Sequence, residues 1–428
     1  MQAIRHHPPG GTEKLKFGRE DIPDIKDDEV LVKVHAASVI WMELYWDIYK
    51  KEDGTYKAPI LGEDYSGTIA KVGPKVPPHS GLTIGSEVMV FMSKAFPTDR
   101  SIDGGMAGYA KAHFSKMVRS PRSLSLTDAA SVPLSALTAW QGLFDHAKLA
   151  AGQTVLIPGA AGPTAIWAVQ LAKMVGARVI GTASSKQSFE LLESFGVDKV
   201  LNYKEVELDS ILENVDVVFD TVGGDTAKKA RKVLKKDGVL LYLVDPSDLD
   251  LNKEPGPRVD FFIVDMNAEQ LGKIGSLIDQ GKLRPVVDSV FEFNDVVKAF
   301  KKGETGHAHG KILLRGPHQC PLRLIAQFTL MTATLGGLHH TLNTDCPNST
   351  PSSGVCHINV TRGSGDESIP YAASRMASGS AYRRDSVAAH LARGCTTTEV
   401  DEYMSNPPIN QSVNDTPEKR RSHHSDAN

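Results

Sequence analysis

The sequence predicts an α/β chain: a β-rich first segment, then a doubly wound parallel-sheet domain, then a low-order C-terminal extension. Three observations carry this expectation. Residues 153–203 alternate strand, glycine turn, helix, strand, helix and strand. Residues 1–122 alternate short strands with Gly and Pro turns. After Gly316 the composition changes to Ser, Thr, Asn, Pro and His.

The segment 153–203 is the most informative. Residues 155–158 are a short apolar run, and Gly159-Ala160-Ala161-Gly162 is a turn of small residues. From Thr164 to Val175 apolar residues recur at helical spacing (Ile166, Val169, Leu171, Ala172, Val175), and Gly176 stops that helix. Residues 178–182 read as the next buried strand. A βαβ unit opening on such a turn is a cradle for a dinucleotide pyrophosphate. Small residues let the backbone approach the phosphates, and the helix start offers free N–H groups and the positive dipole end. Gly159, Ala160, Ala161, Gly162, Pro163 and Thr164 are therefore expected cofactor contacts. Written G-x-x-G-x-x-A and ending in Ala165, the turn departs from the ideal fingerprint. It would also serve an ordinary α/β domain. The polar cluster at the end of the second strand argues for the nucleotide.

That cluster is Thr182-Ala183-Ser184-Ser185-Lys186, and no carboxylate follows until Glu190. An NAD site normally places an acid here for the ribose 2′-hydroxyl. Two hydroxyls and a lysine suit a 2′-phosphate instead, so NADPH is expected over NADH, with Ser184, Ser185 and Lys186 as its contacts. The competing reading makes Lys186 a solvated helix-start residue. Tyr203, after the third strand, is placed to pack on adenine or to sit as a half-buried strand-end tyrosine. Further strands are expected at 199–201, 215–220, 239–244 and 261–264, completing a six-strand doubly wound domain over residues 123–265. Residues 266–316 hold one expected helix, roughly 268–280, and strands that return to the first domain. The cofactor would lie in the cleft at the carboxyl ends of the strands.

From Met1 to about Gly316 the chain resembles a medium-chain dehydrogenase/reductase of the quinone oxidoreductase and enoyl reductase branch. Its segments match the family's in order. Pro59 to Gly67, one residue shorter between its Pro and first Gly, resembles P-x-x-x-G-x-D-x-S-G, and Gly85-Ser86-Glu87-Val88 resembles G-D-x-V. Gly104 to Ala110 resembles G-G-x-A-E-Y, and Ala129 to Pro133 with Leu137-Thr138-Ala139 resembles A-A-x-x-P…L-T-A. Asp220-Thr221-Val222-Gly223-Gly224 resembles D-x-V-G-G. Gly281 to Pro285 and Gly306 to Lys311 resemble the closing G-K-L-x-P and G-H-A-R-G-K. The resemblance implies a GroES-like catalytic domain from 1–122 and 266–316 around a Rossmann domain at 123–265. It adds Val222, Gly223 and Lys311 to the expected cofactor contacts, and Thr138 to the substrate pocket. Where quinone reductases commonly read V-N-P-x-D, this chain has Val39-Ile40-Trp41-Met42-Glu43. Ile40, Trp41 and Glu43 are thus expected to line a bulkier, more apolar pocket; Trp41 and Trp46 packed in the domain core is the alternative.

The same superfamily contains zinc alcohol dehydrogenases. All four cysteines (Cys320, Cys346, Cys356, Cys395) lie beyond the resembling region. Zinc members take a cysteine where this chain reads Ala37-Ser38-Val39, and a His-Glu pair where it reads Glu63-Asp64. Two adjacent carboxylates without thiolate or imidazole are a poor zinc set, so no metal is expected. Lacking a strong Lewis acid, the enzyme is expected to reduce a substrate that is already electrophilic: an enone, an enoyl thioester or a quinone. Hydride would reach the β-carbon of an enone and a proton the α-carbon. Tyr56 lies where thioester-reducing relatives can place a proton donor. Tyr45, Tyr49 and Tyr65 compete, and an ordinary loop tyrosine is the plainer reading.

Composition fits a small-molecule enzyme. The 428 residues (46.3 kDa) carry a formal net charge of −3 and a pI near 6.6, with no basic patch for nucleic acid. No apolar run reaches membrane-spanning length, and no apolar leader opens the chain, so a cytoplasmic protein is expected. A homodimer stays open. Residues 317–428 hold one lysine (Lys419), no tryptophan and one phenylalanine (Phe328), too little for a core of their own. Their apolar stretch, 322–338, is interrupted by polar residues, and a misread exon would give the same text. Cys346, Cys356-His357 and Cys395 lack zinc-finger spacing. Three readings follow: a zinc-free NADPH-dependent reductase of activated C=C bonds or quinones, including a biosynthetic tailoring enzyme; a zinc-independent carbonyl or alcohol oxidoreductase; and a non-catalytic NADPH-binding partner protein.

Overall fold

The computed structural model describes residues 1–46, 54, 56–92, 103–244, 256–317, 340–343, 357–362 and 371–372. The chain divides into two compact units, Met1–Cys320 and Pro321–Asn428.

The first unit opens with an antiparallel pair, β1 (Gln2–His6) and β2 (Leu15–Arg19). A seven-stranded sheet follows. It comprises β3 (Glu29–Ser38), β4 (Asp64–Val72), β5 (Glu87–Phe91), β6 (Tyr109–His113) and β7 (Met117–Arg119), with two strands from the end of the unit described below. β3 is its hub, pairing with β4 and β6 along opposite edges. Val30, Val32 and Val34 alternate into a core with Ile4, Leu61 and Val88.

The chain then enters α1 (Leu126–Ala129), capped by Ser125, and α2 (Pro133–Trp140), which begins on proline and continues into a π-helical segment, Gln141–His146. The second sheet contains β8 (Thr154–Ile157), β9 (Arg178–Ala183), β10 (Lys199–Asn202), β11 (Val215–Asp220), β12 (Leu234–Tyr242) and β13 (Arg258–Phe261). Their order is β10-β9-β8-β11-β12-β13, all parallel, the doubly wound arrangement expected. The helices α3 (Ala165–Met174), α4 (Lys186–Ser194), α5 (Leu208–Ile211) and α6 (Gly224–Lys232) lie along its connections. Val155 and Ile157 face one core with Trp167, and Leu156 faces the other with Val218 and Ala227. This two-sided burial explains why these strands read as continuous apolar runs.

The last part holds α7 (Ala268–Asp279), β14 (Val287–Phe291), α8 (Val296–Glu304) and β15 (Lys311–Arg315). β15 pairs antiparallel with β3 and parallel with β14, returning the chain to the first sheet.

Three elements depart from expectation. Residues 266–316 contain two helices of eight or more residues, not one. α8 buries Val296, Ala299, Phe300 and Gly303 at helical spacing, but Lys298, Lys301 and Lys302 interleave and hide the stripe. The last strand of the parallel sheet is Arg258–Phe261 rather than 261–264. Its place is set by register, from Val239↔Arg258 to Tyr242↔Phe261, which brings two charged residues into a strand. β12 likewise starts earlier than expected and ends at Tyr242.

In the second unit the described residues form β16 (His340–Asn343), β17 (His357–Arg362) and β18 (Tyr371–Ala372), an antiparallel three-stranded set. The apolar stretch 322–338 and the four cysteines lie outside the described residues. No described helix is long and apolar enough to cross a membrane.

Candidate cofactor and active site

β8 delivers the chain to Gly159, whose φ of +59° is the left-handed region that favours glycine. Its N–H donates to Thr182 Oγ1 at 3.0 Å, and the Ala160 N–H donates to the Thr182 carbonyl at 3.0 Å. Thr182, on β9, therefore holds the turn in shape. In the sequence Thr182 is only the start of the polar cluster. A Cβ on Gly159 would lie 3.1 Å from Val222 Cγ2, so the turn leans on the loop after β11. That loop is pinned by buried Asp220, which accepts the N–H groups of Val222 (2.9 Å) and Gly223 (3.2 and 3.1 Å). Burial raises the Asp220 carboxyl above the usual range, and these N–H bonds pull it back. Pro163 and Thr164 lead into α3, whose Thr164 cap makes no side-chain bond to the helix. Small residues and an uncapped helix start fit a pyrophosphate at the carboxyl ends of β8, β9 and β11.

At the end of β9, Ser184 Oγ donates to the half-exposed Tyr203 hydroxyl at 2.8 Å. Ser185 caps α4 by accepting the Ser188 N–H at 3.1 Å. Lys186 is 90% exposed and lies 3.7 Å from Glu190. The structure adds His309, whose Nε2 lies 3.3 Å from Ser185 Oγ. No local pattern links residues 185 and 309. The only sequence signal is histidine where the resembling motif has arginine. The His309 loop also reaches the glycine turn, because the Gly310 N–H donates to the Ala161 carbonyl at 3.0 Å.

Lys311 takes another place than a free cofactor contact. Its ammonium is 6% exposed, donates to Ser135 Oγ at 3.1 Å and lies 3.5 Å from Asp64 Oδ2. Asp64 is fully buried and also accepts the Ser38 hydroxyl (3.2 Å) and the Leu134 N–H (2.9 Å). Burial pushes its carboxyl up to about 6, against the lowering pull of Lys311 and these donors. The pair ties β15 to β4 and α2. It also bears on the fit of zinc. In the segments where the zinc members supply ligands (Ala37-Ser38-Val39 and Glu63-Asp64), the Ser38 hydroxyl is bonded to Asp64 and Asp64 is paired with Lys311. These residues do not fit a zinc ion. Among the described residues no group of three or more His, Cys, Asp or Glu is placed to hold a metal.

On the substrate side, Ile40 is buried. Glu43 is buried too, its two carboxylate oxygens accepting the Gly62 N–H at 3.2 and 3.0 Å. Trp41 packs on α8: a Cβ at Gly303 would meet Trp41 Cβ at 3.0 Å. The Trp41 ring lies edge-on to Tyr45, whose hydroxyl donates to Glu304 Oε1 at 2.9 Å. Thr138 is buried, and its hydroxyl donates within its own helix to the Leu134 carbonyl at 2.7 Å. Tyr56 is half-buried against the first-sheet core. Tyr65 is fully buried, its hydroxyl 3.5 Å from Met92 Sδ, and burial pushes its phenol above the usual range. Tyr49 lies outside the described residues.

Residues 26–123 match a family model described as alcohol dehydrogenase GroES-like domain, and residues 195–314 one described as zinc-binding dehydrogenase. The chain is 33% identical over 324 residues to a 2-methylene-furan-3-one reductase of Solanum lycopersicum, covering 73% of this chain and 79% of that one. It is 32% identical to a chloroplastic NADPH-dependent alkenal/one oxidoreductase of Arabidopsis thaliana, with the same coverage. Among solved structures, the quinone oxidoreductase from Coxiella burnetii superposes with a TM-score of 0.67 at 30% identity, covering 74% of this chain and 99% of that one.

Proposed function

The chain belongs to the medium-chain dehydrogenase/reductase superfamily, in its quinone oxidoreductase-like branch, and from this we propose that it is an NADPH-dependent, zinc-independent reductase of an activated C=C bond or a quinone. The observation that carries the reading is the donor set around Asp64. A neutralised carboxylate, a committed hydroxyl and no thiolate or imidazole give no Lewis-acid site for an unactivated alcohol. The acceptor must then be electrophilic before it binds, as an enone, enoyl thioester or quinone is. The names of the Solanum lycopersicum and Arabidopsis thaliana relatives, a 2-methylene-furan-3-one reductase and an NADPH-dependent alkenal/one oxidoreductase, support the same acceptor class and, for the second, NADPH.

When bound, the nicotinamide supplies the hydride. The chain's own residues bind and orient. The Gly159–Thr164 turn and the start of α3 hold the pyrophosphate, with Val222 and Gly223 on its flank. Ser184, Ser185 and Lys186 take the 2′-phosphate, and the Tyr203 ring covers the adenine. Lys311 acts from behind, fixing Asp64, Ser135 and α2, which carries Thr138. Ile40, Trp41, Glu43 and Thr138 shape the acceptor pocket, and Tyr56 or water gives the proton to the α-carbon. The protein works in the cytoplasm on a small molecule, as a homodimer; the half-exposed Phe261 on edge strand β13 is compatible with a partner there.

The test is NADPH oxidation by the purified chain against enones, quinones and saturated ketones, with product analysis. Saturated ketone from enone, and no turnover of saturated ketones, is expected. Allylic alcohol as the product, or NADPH binding without turnover of any acceptor, would contradict the reading.

A further inference from the structure

We propose that His309 makes the affinity for a 2′-phosphate depend on protonation: its imidazolium joins Ser185 as a cationic contact to that phosphate, and its neutral form leaves the contact uncharged. The inference rests on the NADPH reading and adds a specificity residue to it. Three observations place the ring. His309 Nε2 lies 3.3 Å from Ser185 Oγ, across 124 residues of sequence, at the N-terminus of α4. The His309 N–H donates to Asp288 Oδ1 at 2.9 Å, which fixes the loop on β14. The next residue bonds the glycine turn through the Gly310 N–H and the Ala161 carbonyl, 3.0 Å apart. The imidazole is therefore held at the end of β9, on the same loop that touches the pyrophosphate cradle.

The charges around it leave the ring available. Asp288, on β14, is spent on the His309 backbone and on Lys302 of α8. Lys186, on α4, is 90% exposed and only loosely engaged with Glu190. His307, on the same loop, bonds the Thr305 carbonyl. Arginine would be cationic at every working pH, whereas a histidine gains its charge only on the acid side of neutrality. A phosphate anion beside an imidazole favours the imidazolium, so binding takes up a proton and tightens as pH falls. Protonation of the phosphate itself, near pH 6, opposes this at lower pH.

The test measures binding of 2′,5′-ADP and of ADP, which lacks the 2′-phosphate, to the full chain at about pH 8 and about pH 6.5. The native chain should bind 2′,5′-ADP about fivefold tighter at the lower pH, with ADP unchanged. His309→Gln should lose the rise, and His309→Arg should bind 2′,5′-ADP well at both pH values. If His309→Gln does not fold, the pH response of His309→Arg decides. A native chain with no rise, or either variant keeping the native rise, overturns the role of His309. A pH-independent preference for 2′,5′-ADP leaves the NADPH reading standing. No preference for 2′,5′-ADP at any pH brings down that reading and this one together.

Discussion

Lys186 extends into solvent with one loose ion pair, so by itself it contributes almost nothing to stability. Any value it has must come from a bound anion. Lys186→Ala is expected to leave the melting temperature unchanged and weaken NADPH binding by about 1–2 kcal/mol, with NADH unaffected; titration of both cofactors checks this. Asp64 is the opposite case, a buried carboxyl pushed up to about 6 from 3.8. Between those values the folded state holds the proton more tightly than the unfolded state. This group's contribution is therefore fully present at acid pH and is lost as pH rises through about 6. Asp64→Asn should remove that slope from the pH dependence of melting. It should also cost about 3–5 kcal/mol near neutrality, because Lys311 loses its buried partner. The run Ser184-Ser185-Lys186 stands out in the sequence because its residues are consecutive, and the structure puts it at the end of β9 and the start of α4. Thr182 as a turn holder, His309 beside Ser185, and Lys311 turned inward onto Asp64 do not stand out, because each is defined by a partner 23 or more residues away.

At the scale of elements, apolar periodicity found β8, β9, β11 and α3 within a residue or two, since both faces of the sheet are buried and the text is continuously apolar. It missed α8, whose buried stripe is one residue in three or four among lysines, and it misplaced β13, whose position is dictated by its neighbour's register. The connection before β15 depends on Gly310, with φ +93° and a would-be Cβ only 2.3 Å from the Val286 carbonyl. Gly310→Ala must either shift β14 or break the Gly310–Ala161 bond. We expect a loss of about 2–4 kcal/mol in stability and weaker NADPH binding, read by denaturant melts with and without cofactor.

For the whole molecule, the change of composition after Gly316 falls close to the division of the chain at Cys320. Residues 1–316 contain both sheets and every residue assigned a role in the site. A chain ending at Gly316 is therefore expected to melt and turn over like the full protein; insolubility of the shorter chain would show that the later residues complete its fold. The doubly wound parallel strands and the small-residue turn were readable from text, and the structure has both. The acceptor pocket was less readable, because Trp41 and Glu43 are partly committed to α8 and to Gly62, contacts that no spacing announces. The central claim is hydride delivery from NADPH to an activated double bond without zinc. It is tested most directly with the metal-stripped chain, NADPH deuterated at the reactive C4 position, and an enone. The account predicts undiminished turnover and deuterium at the β-carbon of a saturated ketone. Deuterium at the carbonyl carbon of an allylic alcohol, or turnover that returns only when zinc is added, would contradict it.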